Sequence, residues 1–124
     1  MAYVMESYLF DASETYENAN WDCIIDALLT LASYADCEPS ADYGFVIVKT
    51  DTPKENCVMI QTAKDYGKKE ITLEVRYEYQ NQKDFRQYAW NTTDFDAVLQ
   101  YFYDFVRGKS LDVSQFEDIT QQLR

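Results

Sequence analysis

The sequence predicts an α+β fold, a mainly antiparallel sheet of about four to five strands flanked by two amphipathic helices. Three observations predict it. The stretch EITLEVRYEY sets Ile71, Leu73, Val75, Tyr77 and Tyr79 on one face of an extended chain and Glu70, Thr72, Glu74, Arg76 and Glu78 on the other, the pattern of a half-buried antiparallel strand. Two other segments repeat their apolar residues every three or four positions, which is helical spacing. The strands from Tyr43 onward follow one another through short polar loops, which favour a meander over parallel crossovers. Residues 1–124 read as one domain, with no internal repeat, low-complexity tract or linker.

In chain order, AYVMESYLF (Ala2–Phe10) reads as a first strand, rich in Tyr, Val and Phe, and DASETYENAN as a polar, turn-forming connection. Trp21, Ile24, Ile25, Leu28, Leu31, Ala32 and Ala35 then form the stripe of the first helix. Asn20 is placed to cap it, Asp22 complements its dipole, and CEPSADYG ends it. Asp22 and Asp26, four residues apart, share its solvent side, where like charges oppose each other by a few tenths of a kcal/mol. YGFVIVKT (Tyr43–Thr50) and CVMIQT (Cys57–Thr62) are two strands joined by the DTPKEN loop. Successive Val and Ile residues in the first of them predict a central strand buried on both faces. After the Glu70–Tyr79 strand and the polar QNQKD, FRQYAW (Phe85–Trp90) closes the sheet.

NTTDFDAVLQYFYDFVRG is the second helix, with Thr93 as cap, Phe95, Val98, Leu99, Phe102 and Val106 as its packing stripe, and Gly108 at its C-terminal stop. Tyr101 and Tyr103 do not both fit that stripe. At least one faces outward, and Tyr103, flanked by Asp104 and near Gln100, suits either a protein interface or a position over the sheet edge. The tail LDVSQFEDITQQLR predicts short helical turns that fold Leu111, Val113, Phe116 and Ile119 back onto the core.

A chain of 124 residues with 47% hydrophobic content, 11 Tyr, 7 Phe and 2 Trp buries about two thirds of its unfolded surface without a metal or disulfide. Cys23, Cys37 and Cys57 have neither C-x-x-C nor zinc-ligand spacing and read as free, reduced core thiols of a cytoplasmic protein. MAYVMESYLFD lacks the basic start and long apolar run of a signal peptide, and no run of 18 apolar residues exists to span a membrane. The net charge of −11 disfavours direct binding to nucleic acid or to anionic membranes, which requires basic patches. That charge is polarised. Residues 1–48 carry nine acids and no Lys or Arg, whereas the other 76 carry thirteen acids and all eleven bases. Solubility accounts for such a surface, and so does electrostatic steering toward a basic protein.

Catalytic signals are few. With no histidine, the commonest general base and metal ligand is missing, and no serine lies in a G-x-S-x-G or S-x-x-K context. Glu70, Glu74 and Glu78 recur along one strand at about 13 Å intervals, wider than the ~5–9.5 Å of a glycosidase pair. With 3 glycines and no EF-hand pattern, neither a phosphate loop nor a metal site is expected, and no cofactor is called for. Trp90, Phe95, Tyr101, Phe102, Tyr103 and Phe105 are interleaved with acids, which marks a core stripe rather than a base-stacking platform.

Several phrases together resemble small bacterial immunity proteins of polymorphic and contact-dependent toxin systems: NANWDCIIDALLTL, GFVIV followed by CVMIQTA and ITLEVRYE, and DFRQYAWNTTDFDAVLQYFYDFVRGKSLDVSQFEDI. The resemblance is one of layout and spans roughly residues 18–119. It implies a noncatalytic protein that binds and neutralises a cognate toxin. The acidic charge fits a basic toxin such as a nuclease, whose substrate cleft attracts carboxylates. The expected contact residues are Asp22 and Asp26 on the first helix, Glu14 and Glu17 ahead of it, then Glu74 and Glu78 on the strand, with Tyr103 as an aromatic contact. The alternatives are an acidic nucleic-acid mimic that inhibits a DNA-binding enzyme and a non-inhibitory interaction domain.

Overall fold

The computed structural model describes residues 3–79 and 84–124, so Ala2 of the first expected strand and most of the QNQKD connection lie outside the described residues. The elements are β1 (Tyr3–Leu9), β2 (Ala12–Tyr16), α1 (Trp21–Ala32), a 3-10 turn (Ser33–Asp36), β3 (Tyr43–Lys54), β4 (Cys57–Asp65), β5 (Ile71–Glu78), β6 (Phe85–Thr92), α2 (Phe95–Val106), β7 (Glu117–Asp118) and a closing 3-10 turn (Thr120–Leu123). The fold is α+β. Its seven strands form one antiparallel sheet in the order β2-β1-β3-β4-β5-β6-β7. From β3 to β6 the sheet is the expected meander. Because β2 and β3 both run antiparallel to the β1 strand between them, they are parallel to each other. Parallel strands need a long connection, and α1 supplies it by crossing over β1.

Two strands exceed the expected four to five. β2 occupies the segment expected to be a polar turn, because Leu9 pairs with Ala12 through a connection of only two residues, Phe10 and Asp11. Both have positive φ, 50° and 65°, the sign pattern of the hairpin turn whose twist matches its strands. Such turns usually announce themselves with Asn-Gly or Asp-Gly, and this one does not. Glu55 and Asn56, at φ 52° and 69°, repeat the device between β3 and β4, so β3 runs past the expected Thr50 to Lys54. The other added strand, β7, is two residues of the tail laid against β6.

Both helices lie on one face of the sheet, and the core forms between. Met5 of β1, Val46 and Val48 of β3, Ile60 of β4, and Ile71, Leu73 and Val75 of β5 are buried beneath Ile24, Leu28 and Leu31 of α1 and Val98, Phe102 and Phe105 of α2. The period-two pattern of β5 therefore points inward as expected, while Tyr79, beyond the strand end, is exposed. β3 departs from expectation. It is interior to the sheet, but only Gly44, Val46 and Val48 are buried, while Phe45 and Ile47 are half-exposed on the face that no helix covers. A run of Val and Ile does not reveal whether a second layer exists.

Asn20 caps α1, accepting from the Cys23 amide at 2.9 Å. The cap of α2 is Asp94 rather than Thr93, its carboxylate accepting from the Ala97 amide at 3.1 Å, and Gly108 takes the left-handed stop at φ 71°. Cys57 is buried, whereas Cys23 and Cys37 are half-exposed, so only one of three is a core thiol. Burial pushes the Cys57 thiol up to about 12, which makes it unreactive.

Gly44 is required by a close approach. Tyr34, fully buried, lies flat against it, and a Cβ there would stand 2.6 Å from the Tyr34 hydroxyl oxygen. That hydroxyl also accepts from the Phe10 amide at 2.8 Å, and its ring packs on Phe10 and Tyr66 at centroid distances of 4.9 and 4.4 Å. Gly44→Ala is expected to lower stability by about 1–3 kcal/mol in chemical denaturation, the usual penalty for overpacking. A midpoint equal to that of the parent protein would show that Tyr34 yields freely.

Candidate acidic interface

The acidic edge is built by two segments that the sequence keeps apart and the sheet brings together. In β2 the side chains of Ala12, Glu14 and Tyr16 point to the helix side, because they oppose Leu9, Ser7 and Met5 in register. α1 passes over that side. The result is a groove of about 220 Å³ whose walls include Glu14 and Tyr16 from β2, Cys23, Asp26 and Thr30 from α1, and Ser7 from β1. Glu17 follows β2 directly, and Asp22 lies one helical turn before Asp26. All four carboxylates are exposed.

Among the described residues none of the four forms an ion pair. Among the described residues the ion pairs are Glu6 with Lys49 at 3.0 Å, Asp65 with Lys68 at 3.2 Å, Glu78 with Arg76 at 2.8 Å, and Asp84 with Arg86 at 3.3 Å. Glu14 instead accepts a hydrogen bond from the Tyr16 hydroxyl. That bond holds the Tyr16 phenol above its ordinary value, with burial and the negative charges of Glu14 and Asp26 adding to the shift. The expected uncompensated charge of residues 1–48 thus holds at this edge. It is relieved at Glu6, which a base from just outside the segment engages.

The other expected contacts lie elsewhere. Glu74 and Glu78 are on the opposite, helix-free face of the sheet. Glu74 accepts from Gln87 Nε2 at 2.7 Å, and Glu78 accepts from Arg76, which pairs its charge. Tyr103 lies on α2, partly exposed, with its ring 5.0 Å from that of Trp21 and the Arg107 guanidinium 4.7 Å from its centroid. Through Trp21 it adjoins the start of α1, one residue from Asp22. Tyr101 turns inward instead, packing on Trp90 and Phe116 and donating to the Asp112 carbonyl.

Reading the sequence as a turn at 11–20 missed Tyr16 as a groove residue. The signal was the alternation of Ala12, Glu14 and Tyr16 with Ser13 and Thr15, a short period-two run with β-favouring Thr and Tyr. A larger concavity, about 750 Å³, lies away from the acidic edge on the helix-free face. Its walls include Lys49 and Arg76, whose charges Glu6 and Glu78 already hold. Among the described residues no three His, Cys, Asp or Glu converge as a metal site, and no helix is long and apolar enough to cross a membrane. Comparison with protein-family models, with curated proteins and with solved structures finds no match to this chain.

Proposed function

We propose that this chain is a noncatalytic immunity protein that acts in the cytoplasm by binding and neutralising a cognate bacterial toxin, a basic polypeptide such as a nuclease. The observation that carries this reading is the edge formed by β2 and α1, where Glu14, Glu17, Asp22 and Asp26 are exposed and, among the described residues, without an ion-pair partner. Carboxylates left unpaired in this way repel one another in the free protein and gain when a cationic surface arrives, so they favour fast association with a basic partner. A compact patch also fits a protein surface better than it fits mimicry of duplex phosphates, because Glu74 and Glu78 lie on the other sheet face instead of extending the row. No cofactor enters this function.

The test is genetic and biochemical together. Co-expression with the product of the adjacent gene is expected to restore growth that this product alone arrests, and the two polypeptides are expected to copurify. Failure of both rescue and copurification rejects the immunity reading.

A further inference from the structure

In a chain that carries 22 acids, one lysine is buried without any of them. Lys64 on β4 is only 6% exposed, and among the described residues it forms no ion pair. It continues the inward register of Ile60 and Thr62, so its side chain rises on the helix side of the sheet. Burial lowers the pKa of its ammonium, with no opposing charge among the causes. Among the described residues no buried side-chain nitrogen or oxygen lacks a hydrogen-bond partner, so the stem of Lys64 is buried while its ammonium keeps contact with solvent.

The surroundings of Lys64 show where its ammonium meets solvent. A cleft of about 400 Å³ opens where the end of α1, the turn after it and the start of α2 stand apart over β4 and β5. Lys64 lines it together with Lys69 and the Thr93 residue that precedes α2, while Ala32, Ala35, Ile71 and Phe95 make its apolar walls. Its size lies within the range of small-molecule sites, and it pairs an apolar body with a few convergent polar groups.

We propose that this cleft binds a small organic anion, a monocarboxylate with a compact apolar body. Its carboxylate lies against the Lys64 ammonium, with Lys69 and Thr93 adding a second charge and a hydroxyl donor. Its body rests on Ala35, Ile71 and Phe95. Four apolar walls disfavour inorganic phosphate, whose charge needs donors on every side. The site lies apart from the β2–α1 acidic edge and stands independently of the toxin reading.

The probe is sodium benzoate, followed by isothermal titration calorimetry and by amide chemical shifts of the isotope-labelled full chain. Saturable one-to-one binding is expected, with shifts concentrated at Ala35, Ile71 and Phe95. Lys64→Met keeps the apolar stem and removes the charge, and is expected to weaken binding at least tenfold. Lys69→Met, at an exposed position, is expected to weaken it by a smaller factor and serves as the second variant should Lys64→Met not fold. Benzamide, which has the same shape without the charge, is expected not to bind measurably. The proposal is overturned if benzoate fails to saturate, if its shifts fall outside the cleft, if the parent protein binds benzamide equally well, or if both lysine variants bind like the parent.

Discussion

Reversing Glu14, Glu17, Asp22 and Asp26 together to Lys is expected to slow capture of the proposed basic partner by about ten- to a thousand-fold in dilute buffer, the span over which electrostatic steering acts. The four positions are exposed and outside the core, so the variant is expected to keep its fold and circular dichroism spectrum. Salt separates steering from contact. At 0.1 M ionic strength the screening length is about 10 Å, so the parent protein loses most of the advantage while the variant, already lacking it, changes little or gains. Matching reversal of Glu74 and Glu78 has a different consequence. Those carboxylates already hold Gln87 and Arg76, so their loss is expected to show in stability more than in association. Stopped-flow association at two salt concentrations checks both. Unchanged rates for the quadruple variant in dilute buffer would remove the acidic edge from the interface.

Phe102→Ala is the substitution expected to damage the fold most, by about 3–5 kcal/mol. The ring is fully buried and belongs to the one cluster that joins both helices to the sheet. Truncation loses transfer free energy and leaves a cavity that α1, α2 and the strands beneath cannot all close. Against a typical total of about 5–15 kcal/mol, that is a large fraction, and a thermal midpoint lower by about 10–20 °C is expected. Gln100→Ala on the exposed face of the same helix removes only a surface hydrogen bond to Asp104, and is expected to stay within about 0.5 kcal/mol of the parent. Equal midpoints for the two variants would mean that α2 does not seal the core.

What was legible in the sequence follows from which forces act locally. The inward face of β5 was readable because side-chain alternation is a property of the strand itself. So were the Asn20 cap and the left-handed stop at Gly108, since a helix end selects its own residue types over a few positions. The α2 cap was misplaced by one residue because Thr93 and Asp94 are both good caps, and only the chain's entry from β6 chooses between them. The polarised charge needed no structure at all, being a count along the chain.

Tertiary structure alone decided the rest. β2 exists because β1 offers it a register through a two-residue turn, and neither Phe10 nor Asp11 is a glycine that would have signalled the positive φ. The half-exposed second face of β3 reflects both helices having packed on one side, a choice made by the whole core. Glu14 and Asp26 line one groove only because α1 crosses over β1, and Lys64 reaches a cleft only because the end of α1 and the start of α2 stand apart above it. Composition and periodicity specify what each segment prefers to bury; which segments then face each other is set by long-range packing, whose energy no single stretch of chain contains.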